Sequence, residues 1–170
     1  VIRPTAEIIG TLTKNNHVGL LATEGTVISH SYDLEIKKFW PDIKVSGVAC
    51  PFWVPLVEYN EADSPGADYF VKKRIDELMR KDDDIDAIIL GCTHYPILMP
   101  KIIKYVKPGV RIIPQGEFVA DSLRSYLDRH DDIKKQITHN GSCKYYTTEN
   151  PDKFKESAQI FLHEEVTVNH

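Results

Sequence analysis

What this sequence has little of narrows it first. Cysteine is scarce: Cys50, Cys92 and Cys143 are the only three in 170 residues. An odd, widely spaced set is a poor disulfide framework and fits a reducing, cytoplasmic setting. No apolar run approaches the roughly 18 residues that a membrane span needs, and the longest, Ala87-Ile88-Ile89-Leu90, is strand-sized, so no membrane partner is expected. A basic excess is lacking too. Lys and Arg number 21 against 25 Asp and Glu, a net charge of -4, which argues against a dedicated nucleic-acid binder. Neither common type of phosphate-binding glycine-rich loop is present, and there are no internal repeats or low-complexity stretches. The first residues show no basic segment leading into an apolar one, so no export signal is expected. Asn140-Gly141-Ser142 matches a glycosylation sequon but reads as a turn. The sequence opens at Val1, already in a helical pattern, so it is expected to be part of a longer molecule.

What is present is an ordinary globular composition, 42 % hydrophobic and 27 % charged, long enough to bury a core unaided. Pro4 suits the first turn of a helix, where its missing N–H is not needed. His17 to Ala22 reads as a buried strand, and Thr23-Glu24-Gly25-Thr26 as the turn after it. Ile28, Tyr32, Ile36 and Phe39 fall on one face of a helix that Pro41 stops. Lys44 to Ala49 is a second strand, and the proline- and aromatic-rich stretch from Pro51 to Asn60 an ordered loop. A helix over Ala67 to Arg80 buries Val71, Ile75, Leu78 and Met79. Asp86 to Leu90 is a third strand, Gly91 to Pro96 a turn, and a helix then runs to about Val106. Val110 to Ile113 is a fourth strand, followed by a helix with Val119, Leu123, Tyr126 and Leu127 inward. Strands alternating with helices imply βαβ units and a parallel sheet with helices on both faces. After a charged connector, Gln136 to His139 and Cys143 to Thr147 have the form of a hairpin about Asn140-Gly141. Asn150-Pro151 then caps a last helix with Phe154, Ala158, Phe161 and Leu162 on one stripe.

Ligands of open parallel sheets bind beyond the carboxyl ends of the strands. Four segments occupy such ends: 23–26, 50–52, 91–96 and 115–117. Backbone N–H groups at helix starts there favour a small anion. Gly91-Cys92-Thr93-His94-Tyr95-Pro96 is the most informative of the four. A thiol between a buried strand and a helix can have its pKa lowered, and His94 is close enough to exchange a proton with it. The plain alternative is a small, inert core cysteine, as most free cysteines are. A Gly, Thr, His and Pro cluster at a buried strand end argues against that. Zinc held by Cys92 and His94 with Cys50 or Cys143 lacks any paired-ligand spacing, so no metal is expected. Asp82-Asp83-Asp84 lacks the Gly and distal Glu of a calcium loop and reads as a solvated helix end. His17, His30, His130, His139, His163 and His170 show no partner pattern and read as surface or loop residues. A cysteine hydrolase would need an oxyanion or third-residue pattern that is not evident.

Gly91-Cys92-Thr93-His94-Tyr95-Pro96-Ile97-Leu98 resembles the second-cysteine motif of glutamate racemases, in the aspartate/glutamate racemase superfamily. Gly19 to Thr26 resembles the family's strand and turn with Thr-Glu-Gly-Thr. Ala49-Cys50-Pro51-Phe52-Trp53-Val54-Pro55-Leu56-Val57-Glu58 resembles its Cys-Pro segment ending in an acid. Tyr145-Tyr146-Thr147-Thr148 with Asp152-Lys153-Phe154 resembles its C-terminal strand and helix. The resemblance implies a cofactor-independent, two-thiol racemisation of glutamate, supplying D-glutamate for peptidoglycan, in a homo-oligomer, a dimer. Carried over by position, Cys92 is one acid/base, His94 tunes or protonates, and Glu58 is a supporting acid. Thr93, His94 and Thr26 would contact the substrate. The family's early Asp-Ser-Gly loop, Tyr-Gly contact and Cys-Asn-Thr segment are absent, and Pro114-Gln115 stands where Asp-Ser is common. The resemblance therefore implies a second α/β domain over residues 1–113, and over 114–170 the returning part of a first domain. It follows that the chain alone should not racemise. Racemases or isomerases of aspartate, a hydantoin or maleate, and a non-catalytic carboxylate-binding module, are the rival readings.

Overall fold

The computed structural model describes residues 2–138, 140–162 and 164–169, and of residue 160 the backbone. His139, His163 and His170 lie outside the described residues. Two compact units result, the first ending at Ser125 and the second starting at Tyr126.

In the first unit, helix α1 (Ile2–Leu12) leads into strand β1 (His17–Ala22), then α2 (Glu24–Ile28), α3 (Ser31–Lys37) and β2 (Lys44–Ala49). Helices α4 (Trp53–Glu58) and α5 (Pro65–Lys81) precede β3 (Ala87–Leu90). A 3-10 turn (Tyr95–Leu98) opens onto α6 (Met99–Tyr105), which leads to β4 (Arg111–Pro114). Helix α7 (Gly116–Arg129) starts in this unit and ends in the next. The four strands form one parallel sheet in the order β2-β1-β3-β4, as the alternation of strands and helices implies.

Side chains alternate across the sheet. Val18, Leu20, Ala22, Ala87 and Ile89 share one buried cluster with Ala6 and Ile9 of α1 and Tyr32 and Ile36 of α3. Gly19 faces the other side, where a β-carbon would stand 2.8 Å from Leu78 of α5. Both faces are therefore covered, which is why β3 is apolar throughout. Helix α5 has Pro65 in its first turn and Ser64 accepting from the Ala67 N–H at 3.2 Å, and it buries Val71, Ile75, Leu78 and Met79 as its periodicity requires.

Several local expectations are corrected. Residues 23–26 are not a free turn: Thr23 precedes α2 and the rest lie in it. The single helix expected over Ile28 to Phe39 is two, α2 and α3, which bury Tyr32 and Ile36 but leave Ile28 exposed. The proline-rich loop contains α4, because Pro55 lies in its first turn, where no N–H is called for. At the Asp82-Asp83-Asp84 end of α5, Asp83 and Asp84 are solvated as expected, but Asp82 is not. Asp82 is buried, with His17 Nδ1 and Lys44 Nζ each 2.9 Å from its carboxylate, so His17 has a partner as well.

The second unit holds the end of α7, α8 (Asp131–Lys134), β5 (Tyr145–Tyr146), α9 (Pro151–Leu162) and β6 (Val168–Asn169). The expected hairpin does not form among the described residues. Asn140 and Gly141 do make a local turn: Gly141 takes a positive φ of 65°, and the Ser142 N–H donates to Asn140 Oδ1 at 3.2 Å. Gln136 to Thr138, however, are exposed, and their one apolar residue, Ile137, is not buried against a partner face that would seat a strand. Strand β5 pairs instead with β6, in parallel. Asn150 caps α9 as expected, accepting from the Asp152 N–H at 2.8 Å. On α7, Leu123 and Tyr126 do not face inward but are exposed.

Candidate active site

The site is built where β3 ends. Gly91 is required there by space: a β-carbon would lie 2.8 Å from Ala22 Cβ and 3.0 Å from Leu20 Cδ1. Its N–H donates to the Leu21 carbonyl at 2.7 Å, so the pairing with β1 continues one residue past β3 before the loop leaves the sheet. The loop then folds tightly, with the Tyr95 N–H donating to the Cys92 carbonyl at 3.3 Å and the Ile97 N–H to the His94 carbonyl at 3.1 Å.

Cys92 is half-buried, and its Sγ lies 3.7 Å from His94 Nδ1. The opposite ring nitrogen, Nε2, is 2.5 Å from Glu58 Oε1. Glu58 comes from α4, far away in sequence, and packing explains how it arrives. Trp53 at the start of α4 is fully buried, meets the Tyr95 ring edge-on at 4.8 Å and donates to the Phe70 carbonyl at 3.3 Å. The Tyr95 hydroxyl in turn donates to the Cys50 carbonyl at 3.2 Å. Helix α4 is thereby pinned to the turn that carries His94, with its last residue, Glu58, reaching the imidazole.

The other two cysteines differ in kind. Cys50 is buried and its Sγ contacts the Val48 carbonyl at 3.7 Å. Burial pushes its thiol far above the ordinary range, and the Tyr95 phenol likewise. In both, burial disfavours the charged form. Cys143 is exposed in the second unit.

Of the residues singled out from sequence, Cys92, His94 and Glu58 form one connected series. Cys92 and Thr93 also line a cavity of about 350 Å³, together with Leu90, Pro96, Gln115 and Val119. Thr26 is engaged with Thr23, hydroxyl to hydroxyl, at 2.9 Å. Gln115 stood out in the sequence as the start of the strand-end segment 115–117 and as a departure from a motif, but it was not singled out as a site residue. The visible signal was an amide following a proline at a strand end.

Among the described residues, one group of three donors stands close enough to hold an ion: His17, Asp82 and Asp84, with ligand atoms within 4.8 Å of one another. Lys44 already places its ammonium on Asp82, so the charge there is compensated without a metal. At the thiol, the arrangement suits proton transfer. Sulfur can give its proton to, or take it from, a neighbouring imidazole whose far side faces a carboxylate.

A relative from Lactiplantibacillus plantarum named glutamate racemase is 36 % identical over 162 residues, which are 95 % of this chain and 59 % of that protein. One from Streptococcus pyogenes is 37 % identical over 174 residues, 100 % of this chain and 63 % of the relative. Among solved structures, glutamate racemase RacE1 from Bacillus anthracis superposes with a TM-score of 0.87 at 30 % identity, over 99 % of this chain and 62 % of that one. This chain is homologous to the glutamate racemases and has their fold. The racemase from Francisella tularensis, solved in complex with D-glutamate, gives 0.82 at 30 % identity over 98 % of this chain and 60 % of its own. No family model matches. The chain spans about three fifths of the length of the glutamate racemases it matches.

Proposed function

We propose that this chain is the part of a cofactor-independent glutamate racemase that supplies one of two reacting thiols. The observation that carries the reading is the Cys92–His94–Glu58 series at the carboxyl edge of a racemase-type sheet. Removing the α-proton of glutamate leaves a planar carbanion with two faces. On one face the C–H bond breaks as an S–H bond forms on Cys92; on the other, a second thiol gives up its proton to carbon. In the reverse direction Cys92 is the donor. His94 holds the proton that leaves the sulfur, and Glu58 balances the charge of the resulting imidazolium. Thr93, in the cavity wall, and Thr26 bind the polar ends of the amino acid. Cys50 is too deeply buried to be the second thiol, and Cys143, though exposed, does not stand in the Cys-Asn-Thr segment that the resemblance implies, so in this reading that group belongs to the two fifths of the relatives' length that this chain does not match. In this reading residues 1–113 are one α/β domain, and 114–170 return to the other. The product is D-glutamate for peptidoglycan, made in the cytoplasm by a dimer.

The test is a glutamate racemisation assay, followed by circular dichroism, on the 170-residue chain and on the complete open reading frame that encodes it. Activity in the complete protein that Cys92→Ala abolishes supports the reading. Activity in the 170-residue chain alone overturns it. A complete protein that racemises aspartate, or isomerises a hydantoin or maleate, and ignores glutamate overturns the substrate.

A further inference from the structure

The peptide that launches the Cys92 loop is held at both polar ends. Its N–H, on Gly91, donates to the Leu21 carbonyl at 2.7 Å, and its carbonyl, on Leu90, accepts from Gln115 Nε2 at 3.0 Å. Gln115 is itself fixed. Thr5 of α1 donates to its Oε1 at 3.1 Å, and the buried Tyr32 phenol of α3 reaches the same amide. One buried side chain therefore ties α1, α3 and β3 together beneath the loop and forms part of the cavity wall beside the thiol. Strand β4 ends in Pro114, which has no N–H, and the donor that reaches Leu90 comes from the next residue's side chain.

The geometry makes this clamp consequential. A peptide unit is planar, so only φ and ψ of Gly91 separate the Leu90–Gly91 plane from the Cys92 α-carbon. Glycine is the residue least able to restrict those two angles by itself. Resting on the roles given above to Cys92 and His94, we propose that Gln115 is a positioning residue for the thiol. By fixing the Leu90–Gly91 peptide it sets the direction in which the chain leaves β3 and so holds the Cys92 sulfur against His94 Nδ1. Displacing a reacting group by about 1 Å is enough to cost up to 100-fold in rate, so a clamp of this kind acts without touching substrate.

The experiment reads coupling between positions 115 and 94 through the reactivity of Cys92. Alkylation by iodoacetamide is followed by peptide mass spectrometry in the 170-residue chain, with Cys143 as the exposed reference. Four chains are compared: parent, His94→Asn, Gln115→Met and the double variant. Expected is a slowing of Cys92 by about tenfold in His94→Asn, a similar slowing in Gln115→Met, and little further change in the double variant. Cys143 keeps its rate throughout. If His94→Asn slows Cys92 as much in the Gln115→Met background as in the parent, Gln115 has no positioning role and the proposal falls. If His94→Asn changes nothing in the parent, the Cys92–His94 pairing itself fails, a different and distinguishable result. Should Gln115→Met not fold, Gln115→Glu carries the same comparison, because it keeps the acceptor for Thr5 and loses the donor to Leu90.

Discussion

Glu58 Oε1 and His94 Nε2 stand 2.5 Å apart although 36 positions separate them in the chain, and Cys92 lies on the other side of the same ring. An imidazole held this way has its tautomer and orientation set by the carboxylate. Glu58→Gln retains the size of the side chain and removes its charge. In the complete protein it should lower kcat for glutamate racemisation by about 10- to 100-fold and leave KM nearly unchanged, because the carboxylate acts through His94. Steady-state kinetics in both directions check this. An unaltered kcat would remove Glu58 from the mechanism.

Gly91 couples fold to site. A β-carbon there meets Ala22 Cβ at 2.8 Å, an atom fixed by its own backbone, and Cδ1 of the buried Leu20 at 3.0 Å. Gly91→Ala should destabilise the chain by about 1–3 kcal/mol, the usual cost of overpacking a tight core. It should also slow alkylation of Cys92, since relief of the clash moves the loop. Gly25→Ala is the control, because nothing lies within 4 Å of its added carbon. Urea unfolding of the two variants should separate them clearly.

Asp82 makes stability depend on acid. Burial alone would raise its carboxyl, but Lys44, His17 and the Asp84 N–H outweigh that and hold it at about 2, below the ordinary 3.8. A carboxyl depressed in the folded state contributes fully above its unfolded pKa and loses that contribution as the pH falls through the folded value. The window is therefore about pH 4 down to pH 2. Lys44 is more than half exposed and its attraction is screened, so the contribution is about 1–2 kcal/mol. Asp82→Asn should be less stable at pH 7 and lose less stability between pH 5 and pH 2 than the parent does. Urea midpoints across that range measure it, and parallel pH slopes in the two chains would contradict the assignment.

The sheet was legible because β1 and β3 are nearly all apolar and buried on both faces, a pattern that tolerates little else. Residues 92 and 94 were legible because thiol and imidazole sit two apart at a strand end. What sequence hid were pairings set by packing. His17 and Asp82 are 65 positions apart, and only the parallel register brings the start of β1 to the end of α5. The proline-rich stretch from Pro51 to Asn60 read as a loop, yet Pro55 is a first-turn residue of α4. Asn140-Gly141 announced a hairpin, but the turn chemistry is local, and the partner strand came from the far end of the chain. Gln115 was hidden for the same reason, since its contacts with Thr5 and Leu90 are 110 and 25 residues away.

Helix α7 gives the last prediction. Leu123 is 56 % exposed on it, and Tyr126 one turn on is 42 % exposed. Apolar side chains spaced at one helical turn form a stripe that a stable helix ordinarily buries. In the 170-residue chain that stripe should drive concentration-dependent self-association, seen as a rising mass in sedimentation or light scattering. Leu123→Lys places a charge in the contact and should weaken the association by about tenfold or more. In the complete protein the racemase reading has further chain covering α7, so the same substitution should lower thermal stability instead of altering the mass. A monomeric 170-residue chain at all concentrations, with Leu123→Lys indistinguishable from it, would show that the stripe is tolerated in water and that α7 has no partner to lose.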